Sequence, residues 1–372
     1  MHISEPIRLN PTSESFEREL SDLRRKSGVY LLHDSGAAVH LSWSRDLERR
    51  LRRLLLTSHR GALLAEKLET VECWPAGSKL EQQLLLYSIA RRYYPESYNK
   101  ILKLRAPWFV ALTNEPYARL ETANKVRDRH EALWGPFRSR AAAEQYEQEV
   151  LGLFQMRRCS EPLAPASDHP GCIYGEMNQC LRPCQLAVSA AEYAEETART
   201  RDFLRTNGRT RMAALISARD RASQEFDFEQ ASQIHKRIER LKNAASWREP
   251  VIEEISQFNG IALTTSSAPG EVVFWPMLSG LWQEPLRWQL PEESAEAKSL
   301  DTEIRELLSL QLAHPRAEGD CVEELAVFAR WFYSSWRDGE WFPFGELSNL
   351  NYRKLIREVS KLRQSACPST KK

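Results

Sequence analysis

The feature that most constrains this chain is a group of four cysteines in a loop-like segment. Four of the seven cysteines lie between residues 159 and 184, with the spacing C-x12-C-x7-C-x3-C, among several prolines and without helical or strand periodicity. Such a segment cannot bury itself by packing alone, whereas four thiolates on one metal centre supply ligand bonds in place of a hydrophobic core. The sequence therefore predicts a shared metal site at Cys159, Cys172, Cys180 and Cys184.

The residues alone leave the kind of metal centre open. No two of these cysteines have the C-x2-C spacing of a zinc knuckle or ribbon, and unequal gaps suit an iron–sulfur cluster at least as well as zinc. The alternative is that four unrelated cysteines share an ordinary loop. A shared metal is favoured because free cysteines are usually scattered through buried elements.

Length and composition indicate a globular, multidomain chain. At 372 residues, of which 42% are hydrophobic, the sequence has enough apolar material for two or three domains. It contains no run of 18 apolar residues and no basic and apolar leader, so we expect neither a membrane span nor a signal peptide. We therefore expect a cytoplasmic location. In that reducing compartment, clustered cysteines bind metal more often than they form disulfides.

Positive charge is concentrated locally, although the net charge is only +1. Residues 45–60 contain six arginines and two acidic residues, and residues 91–105 form a second basic patch. Such patches can neutralise phosphates, so we expect DNA contacts at Arg45, Arg49 and Arg53. The alternative is that each patch is the solvated face of an amphipathic helix.

The first hundred residues predict a small α/β unit. Two apolar strands at residues 28–33 and 38–43 flank a turn and predict a β-hairpin. A helix with leucines at helical spacing follows from about Asp46. A second helix is predicted over Ser78–Tyr93, ending before Pro95.

This pattern resembles the GIY-YIG nuclease domain, and most closely that of the UvrC/Cho excinuclease family. Tyr30 of the Gly-Val-Tyr motif and Arg50 stand at the family's first tyrosine and its arginine. The resemblance implies that two tyrosines organise the attacking water, that the arginine stabilises the phosphate, and that a helical glutamate holds one divalent metal. The alternative is that Tyr30 is a packed strand aromatic and Arg50 one arginine of a basic helix.

Two positions depart from the family pattern. The second motif reads His-Leu-Ser-Trp from His40, where the family has a tyrosine, and Leu86 stands at the position of the metal-binding glutamate. Leucine cannot coordinate Mg²⁺, Glu81 faces another side of the helix, and Gln82 brings no charge. We therefore expect the nuclease centre to be vestigial and to bind Mg²⁺ only if it is active. A histidine at position 40 can nevertheless serve as a general base.

The resemblance continues through the middle of the chain. Residues 107–120 predict two strands around a turn at residues 114–116, and the Trp-Gly-Pro-Phe sequence at 134–137 predicts a further turn before a helix. The x7 and x3 gaps of the cysteine loop match the UvrC family closely. The resemblance implies a [4Fe-4S] cluster on the four cysteines, with zinc as the alternative.

A helical hairpin is predicted from about Arg211, with its bend at Phe226 and Asp227. It resembles the UVR motif, through which UvrC and UvrB recognise each other. The resemblance implies a UvrB-like partner that contacts Phe226, Phe228, Glu229, Ile234 and Ile238. The alternative is a hairpin that packs on its own domain.

The C-terminal part predicts three strands within residues 258–290, then helices at 300–312, 322–336 and 352–363. It resembles only the opening sheet of the family's ribonuclease-H-like nuclease, because no strand carries its first carboxylate. The aromatic residues at 331–336 and 341–344 are interpreted as core in preference to a base-stacking platform.

The predicted fold class is α+β and multidomain. The predicted parts are an N-terminal extension (1–20), a GIY-YIG-like α/β nuclease domain (21–105), a linker domain with the cysteine metal loop (106–200), a UVR helical hairpin (201–245), a C-terminal α/β remnant resembling part of a ribonuclease-H-like domain (246–363) and a disordered tail (364–372). The predicted function is DNA repair by nucleotide excision, through binding of DNA and a UvrB-like protein without cleavage. The alternatives are an active metal-dependent endonuclease and an interaction scaffold without a DNA role.

Overall fold

The computed structural model describes residues 4–290 and 300–366. The described residues form a mixed α+β structure with three antiparallel sheets, which confirms the predicted α+β class. The chain divides into two compact units, one made of the residues up to 105 together with those from 258 onward, the other of residues 106–257. The predicted domain limits stay predictions.

The N-terminal part of the first unit is built on a four-stranded sheet in the order β1-β4-β2-β3. Its elements are β1 (Ile7–Leu9), α1 (Phe16–Ser21), β2 (Gly28–Asp34), β3 (Ala37–Ser44), α2 (Leu47–Leu55), α3 (His59–Lys67), β4 (Thr70–Pro75), α4 (Lys79–Tyr93) and α5 (Tyr98–Leu102). The predicted hairpin is β2 and β3, and the two predicted helices are α2 and α4. The strand β1 and most of α1 fall within residues 1–20, the predicted N-terminal extension, and belong to this unit.

Different helices cover the two faces of this first sheet. Tyr30 shares one core with leucines of α2, whereas Val29 and Leu31 pack with Leu85 of α4. This separation follows from the alternation of side chains along a strand. The helix starts are set locally, because the side chains of Asp46 and Ser78 accept hydrogen bonds from the first turns of α2 and α4.

A buried carboxylate ties this sheet together. Glu72 on β4 accepts hydrogen bonds from Arg8 Nε at 3.0 Å, from His33 Nε2 at 3.1 Å and from Tyr93 Oη at 3.3 Å. Burial disfavours the charged form, but the hydrogen bonds and positive charges of Arg8 and His33 outweigh it, so the pKa of Glu72 lies below its ordinary value of 4.5.

We expect Glu72→Gln to lower the free energy of unfolding of the first unit by about 2 kcal/mol at neutral pH, because charge-assisted hydrogen bonds are lost. The contribution of a carboxylate with a lowered pKa is present above its ordinary pKa and is lost as the pH falls through the lowered one. Urea unfolding of the full chain should therefore show a difference that shrinks in acid. Glu66→Gln, on an exposed position of α3, is the control. A difference that does not change with pH would contradict the role of the charge.

The second unit contains a four-stranded sheet in the order β6-β5-β7-β8. Within the described residues, five α-helices lie between β7 and β8 in the sequence. Its elements are β5 (Trp108–Thr113), β6 (Leu120–Ala123), β7 (His130–Phe137), α6 (Arg140–Leu151), α7 (Ile173–Glu176), α8 (Ala190–Thr206), α9 (Arg209–Gln224), α10 (Phe228–Ser246) and β8 (Glu253–Glu254).

The Trp-Gly-Pro-Phe segment was predicted as a turn, and this prediction is wrong. It forms the end of β7, where Trp134 pairs with Val110 and both Trp134 and Phe137 are buried. Apolar side chains complete the core of the sheet here, and Gly135 is needed because a Cβ atom at that position would overlap the Phe109 ring. The glycine therefore allows close strand packing instead of a chain reversal.

The helices α9 and α10 confirm the predicted helical hairpin. At the bend, Phe226 adopts a left-handed backbone conformation with φ of 60°. The Asp227 side chain then caps α10 by accepting a hydrogen bond from Gln230 N at 3.0 Å. The buried side of α10 consists of Ile234, Ile238, Leu241 and Ala244.

The C-terminal part of the first unit forms a five-stranded antiparallel sheet, in which β11 and β12 both pair with β10, and β9 lies between β10 and β13. Its elements are β9 (Gly260–Thr265), β10 (Glu271–Leu278), β11 (Leu281–Trp282), β12 (Leu286–Gln289), α11 (Leu300–Gln311), α12 (Cys321–Phe332), β13 (Glu340–Pro343) and α13 (Tyr352–Ala366).

Four details of this part differ from the prediction. The third predicted strand is divided into β11 and β12 around Pro285, which lacks an N–H group for a ladder. The strand β13 was not predicted, although the core role of Trp341 and Phe342 on it is confirmed by their burial. The core interpretation is wrong for Trp336, which is 40% exposed. Residues 364–366, predicted as disordered, continue α13, and the rest of that predicted tail lies outside the described residues.

Within residues 4–290 and 300–366, none of the helices combines the length and the apolar character needed to cross a bilayer.

Candidate functional site

The residues predicted for a nuclease centre lie together on the α2 face of the first sheet. Tyr30 is fully buried, and its hydroxyl group accepts a hydrogen bond from Arg50 Nε at 3.0 Å. The centroid of the His40 ring lies 6.0 Å from that of the Tyr30 ring. The β2–β3 pairing and the start of α2 therefore bring Tyr30, His40 and Arg50 into one group.

Positive charge dominates this group of residues. Desolvation lowers the pKa of His40, and the charge of Arg50 lowers it further, so the neutral form, which can accept a proton, is favoured. The nearby acids are engaged elsewhere, because Glu48 pairs with Arg52 and Asp46 caps α2. In the part of the chain that the structure describes, Arg50 forms no ion pair with a carboxylate.

The helix α4 brings no carboxylate to Tyr30 and Arg50. Leu86 packs with the core on the other face of the sheet, beside Val29 and Leu31. Glu81 is buried, accepts a hydrogen bond from Gly77 N at 2.7 Å and pairs with Arg287. This confirms that Glu81 faces away from the Tyr30–Arg50 pair.

The three arginines predicted to contact DNA are exposed. Arg49 and Arg53 lie one turn apart on α2, and Arg45 precedes the helix. Among the described residues, none of the three forms an ion pair, whereas Arg52 is held by Glu17 and Glu48. Exposed cations without carboxylate partners suit contact with phosphates.

The four clustered cysteines lie in the irregular segment between α6 and α8. Cys180 and Cys184 are buried, Cys159 is half-buried and Cys172 is exposed. Burial raises the pKa of the Cys180 thiol, the N–H group of Arg182 opposes this, and the charges of the other three cysteines raise it further. The other three cysteines therefore act electrostatically on Cys180.

The four clustered cysteines provide a donor set of the kind that binds metal ions. Four thiols without disulfide partners have the composition of an iron–sulfur or zinc site. Two donors already point at sulfur atoms, with Arg182 N at 3.4 Å from Cys180 Sγ and Arg157 Nη1 at 3.7 Å from Cys159 Sγ. Over residues 4–290 and 300–366, however, no group of three or more His, Cys, Asp or Glu side chains is arranged to hold a metal ion. The residues fit such a centre by donor type, but their side chains are not assembled around one point, and the metal stays a prediction.

The tip of the α9–α10 hairpin presents two aromatic side chains to solvent. Phe226 and Phe228 are 78% and 65% exposed, and their rings meet edge to face with centroids 6.2 Å apart. Glu229 is exposed beside them. Ile234 and Ile238 were predicted on the same partner surface but are buried, because that face of α10 packs within the second unit.

One feature near these residues was not indicated by the sequence. A cavity lies on the α4 face of the first sheet, lined by Trp43, Lys79 and Leu86 together with residues of α12. The only signal was Trp43, at a position where the resembled family usually has lysine.

Comparison with known proteins identifies the class. Residues 107–203, which hold β5 to β7, α6, the cysteine segment and most of α8, match the family model for the UvrC/Cho excinuclease middle domain. The similarity is to the UvrC/Cho excinuclease family, and the chain is a distant homologue of proteins named UvrABC system protein C.

The relatives in this family are UvrABC system protein C from several bacteria. The protein of Desulfitobacterium hafniense is 28% identical over 64% of this chain and 39% of its own length. Those of Nitratidesulfovibrio vulgaris (28% identical, 73% of this chain, 42% of the relative) and Pediococcus pentosaceus (27%, 61% and 38%) are similar. The chain spans about two fifths of the length of these relatives. A comparison with solved structures finds no match.

Proposed function

We propose that this chain is a UvrC-like protein of nucleotide excision repair that binds DNA and a UvrB-like partner in the cytoplasm but does not cut DNA. The first sheet with α2 and α4 is then a GIY-YIG-like domain, the α9–α10 hairpin is a UVR motif, and the sheet of β9 to β13 corresponds to part of a ribonuclease-H-like domain. Homology to proteins named UvrABC system protein C supports this proposal.

The observation that supports an inactive centre is that, among the described residues, Arg50 pairs with no carboxylate, because the nearby Asp46 and Glu48 are engaged elsewhere. Phosphodiester cleavage needs a nucleophile, and positive charge where the pentavalent phosphate gains negative charge. Arg50 supplies such a charge, but α4, which carries Leu86 at the position of the metal-binding glutamate, packs on the other face of the sheet and brings no oxygen ligand for Mg²⁺. The group retains a means of contacting phosphate and lacks the metal-binding part of a nuclease centre.

A working endonuclease is the second candidate, and one observation favours it. Desolvation and the charge of Arg50 lower the pKa of His40 and so favour its neutral form, which is the form that a general base requires. In that case His40 takes the proton of the attacking water, while Arg50 stabilises the phosphate. This candidate requires a divalent metal held by an acid that does not contact Arg50.

We further propose that Cys159, Cys172, Cys180 and Cys184 hold a [4Fe-4S] cluster, with zinc as the alternative. A cluster bound there supplies cross-links to a segment with little regular structure. The N–H group of Arg182 and the guanidinium group of Arg157 then stabilise the negative charge of the thiolates.

The function is tested with the full chain on damaged and undamaged DNA. We expect binding that weakens with salt, and no cleavage in Mg²⁺ or Mn²⁺. Arg49→Glu with Arg53→Glu should weaken binding by about 10- to 100-fold at low salt and reduce the slope of log K against log salt by about 2, because two phosphate contacts are lost. Arg353→Glu, at an exposed position of α13 in a different core, is the matched control.

The outcomes separate the candidates. Cleavage that Arg50→Ala abolishes would establish the endonuclease and refute the inactive centre. DNA binding that is absent at every salt concentration would favour an interaction scaffold. Equal weakening by Arg353→Glu would show that the arginines of α2 are not a specific contact surface.

A further inference from the structure

A cavity of about 430 Å³ is built into the first unit, on the face of the first sheet that α4 covers. Its lining comes from β3, from α4, from the chain through α5 and from α12. The volume lies within the range of small-molecule sites. The cavity is distinct from the Tyr30–Arg50 pair, because Tyr30 points into the core on the other face of the sheet.

The lining of this cavity is basic. Arg45, Lys79 and Arg330 contribute cations, and none of the lining residues in the described chain is a carboxylate. The donors already have neutral acceptors, since Lys79 Nζ donates to Gln82 Oε1 at 3.1 Å and Arg330 Nη1 to the carbonyl oxygen of Leu102 at 3.0 Å. Burial lowers the pKa of Lys79 and the charge of Arg45 lowers it further, against the charge of Asp338. Three cations without an acid in the wall favour an anionic occupant.

Exposed aromatic side chains stand at the same cavity. Trp43 and Trp336 are 45% and 40% exposed, although a tryptophan side chain is normally well buried. The Trp43 ring is held by Lys79, whose Nζ lies 4.6 Å from the ring centroid. Leu86 and Val327 add apolar surface. An open indole beside cations is a surface on which a flat ring attached to an anion can stack.

We propose that this cavity binds one unstacked nucleobase of a DNA strand, with its adjoining phosphate held by Arg45, Lys79 and Arg330. The proposal rests on the proposed DNA-binding function and names the part of the strand that enters the protein. Tryptophan stacking accepts any base, so binding is tolerant of sequence. Leu86 then has a positive role, because a carboxylate at that position would repel the phosphate.

The experiment uses the full chain and a single-stranded oligonucleotide carrying one 2-aminopurine. Binding should change the fluorescence of the probe, and Trp43→Ala should weaken affinity about tenfold and remove most of that change, because one stacked base is lost. Leu86→Glu should weaken affinity at least as much, by adding a negative charge to the cavity. Trp247→Ala removes an exposed tryptophan of the second unit and is the matched control.

The outcomes distinguish this proposal from the function on which it rests. Circular dichroism shows whether the Trp43→Ala and Leu86→Glu proteins are folded. If both are folded and bind the probe as the unaltered chain does, the cavity is not the site of the base. DNA binding that still depends on Arg49 and Arg53 would then leave the proposed function intact. If the chain binds dTMP but no oligonucleotide, a DNA strand is not the occupant of the cavity, and the proposed DNA binding is wrong as well. The proposal is supported if Trp43→Ala and Leu86→Glu remove the fluorescence change and Trp247→Ala leaves it in place.

Discussion

Replacing Cys180 and Cys184 with serine should remove all bound metal from the chain. Serine is a poor ligand for iron or zinc compared with thiolate, and the double replacement leaves only two of the four proposed thiolates, at Cys159 and Cys172. Binding of a structural metal contributes on the order of 10 kcal/mol to the fold of a small site. We therefore expect metal content to fall from one centre per chain to none, and the segment between α6 and α8 to become sensitive to proteases.

The measurement is made on protein purified without oxygen. Metal analysis and absorbance in the thiolate-to-iron charge-transfer region distinguish a [4Fe-4S] cluster from zinc. Cys321→Ser is the matched control, because Cys321 is a free cysteine at the start of α12, outside the loop. An unaltered chain that carries neither metal, or a double variant that keeps its metal, would show that the four cysteines are not ligands.

Elements with strong local signals were predictable from the sequence. The hairpin of β2 and β3 follows from two apolar runs around turn residues, and α2 and α4 begin at the capping residues Asp46 and Ser78. The strand β13 was missed for the opposite reason. It spans only Glu340–Pro343, and its partner β9 lies far away in sequence. Short strands that depend on distant partners leave no periodic pattern to detect.

The candidate site was predictable only in part. Motif spacing identified Tyr30 and Arg50, and the register of the hairpin with the start of α2 explains why they meet. The spacing did not reveal which face of the sheet Leu86 would occupy. The sequence did not predict the cavity, because part of its lining comes from α12, which is distant in sequence from β3 and α4. Helical periodicity likewise placed Ile238 on one face of α10 but carried no information on what covers that face.

The burial of Ile238 makes the exposed tip of the hairpin the sharper test of partner binding. Phe226→Ala with Phe228→Ala should weaken binding to the proposed UvrB-like partner by about 1,000-fold, because large exposed aromatic residues that become buried at an interface contribute about 2 kcal/mol each or more. The melting temperature should hardly change, since both rings are mostly in solvent. Binding is measured by calorimetry with a purified UvrB protein.

Two further variants separate a contact surface from a structural one. Ile238→Ala removes a buried side chain of the same hairpin and should cost about 3 kcal/mol of stability, weakening partner binding only at temperatures where the hairpin opens. Leu310→Ala, at an exposed position of α11 in the first unit, should change neither quantity. If the double phenylalanine variant binds as tightly as the unaltered chain, the tip is not the contact. The tip of the hairpin is exposed, whereas the inner face of α10 is buried. Partner binding and stability should therefore respond to different residues of the same hairpin.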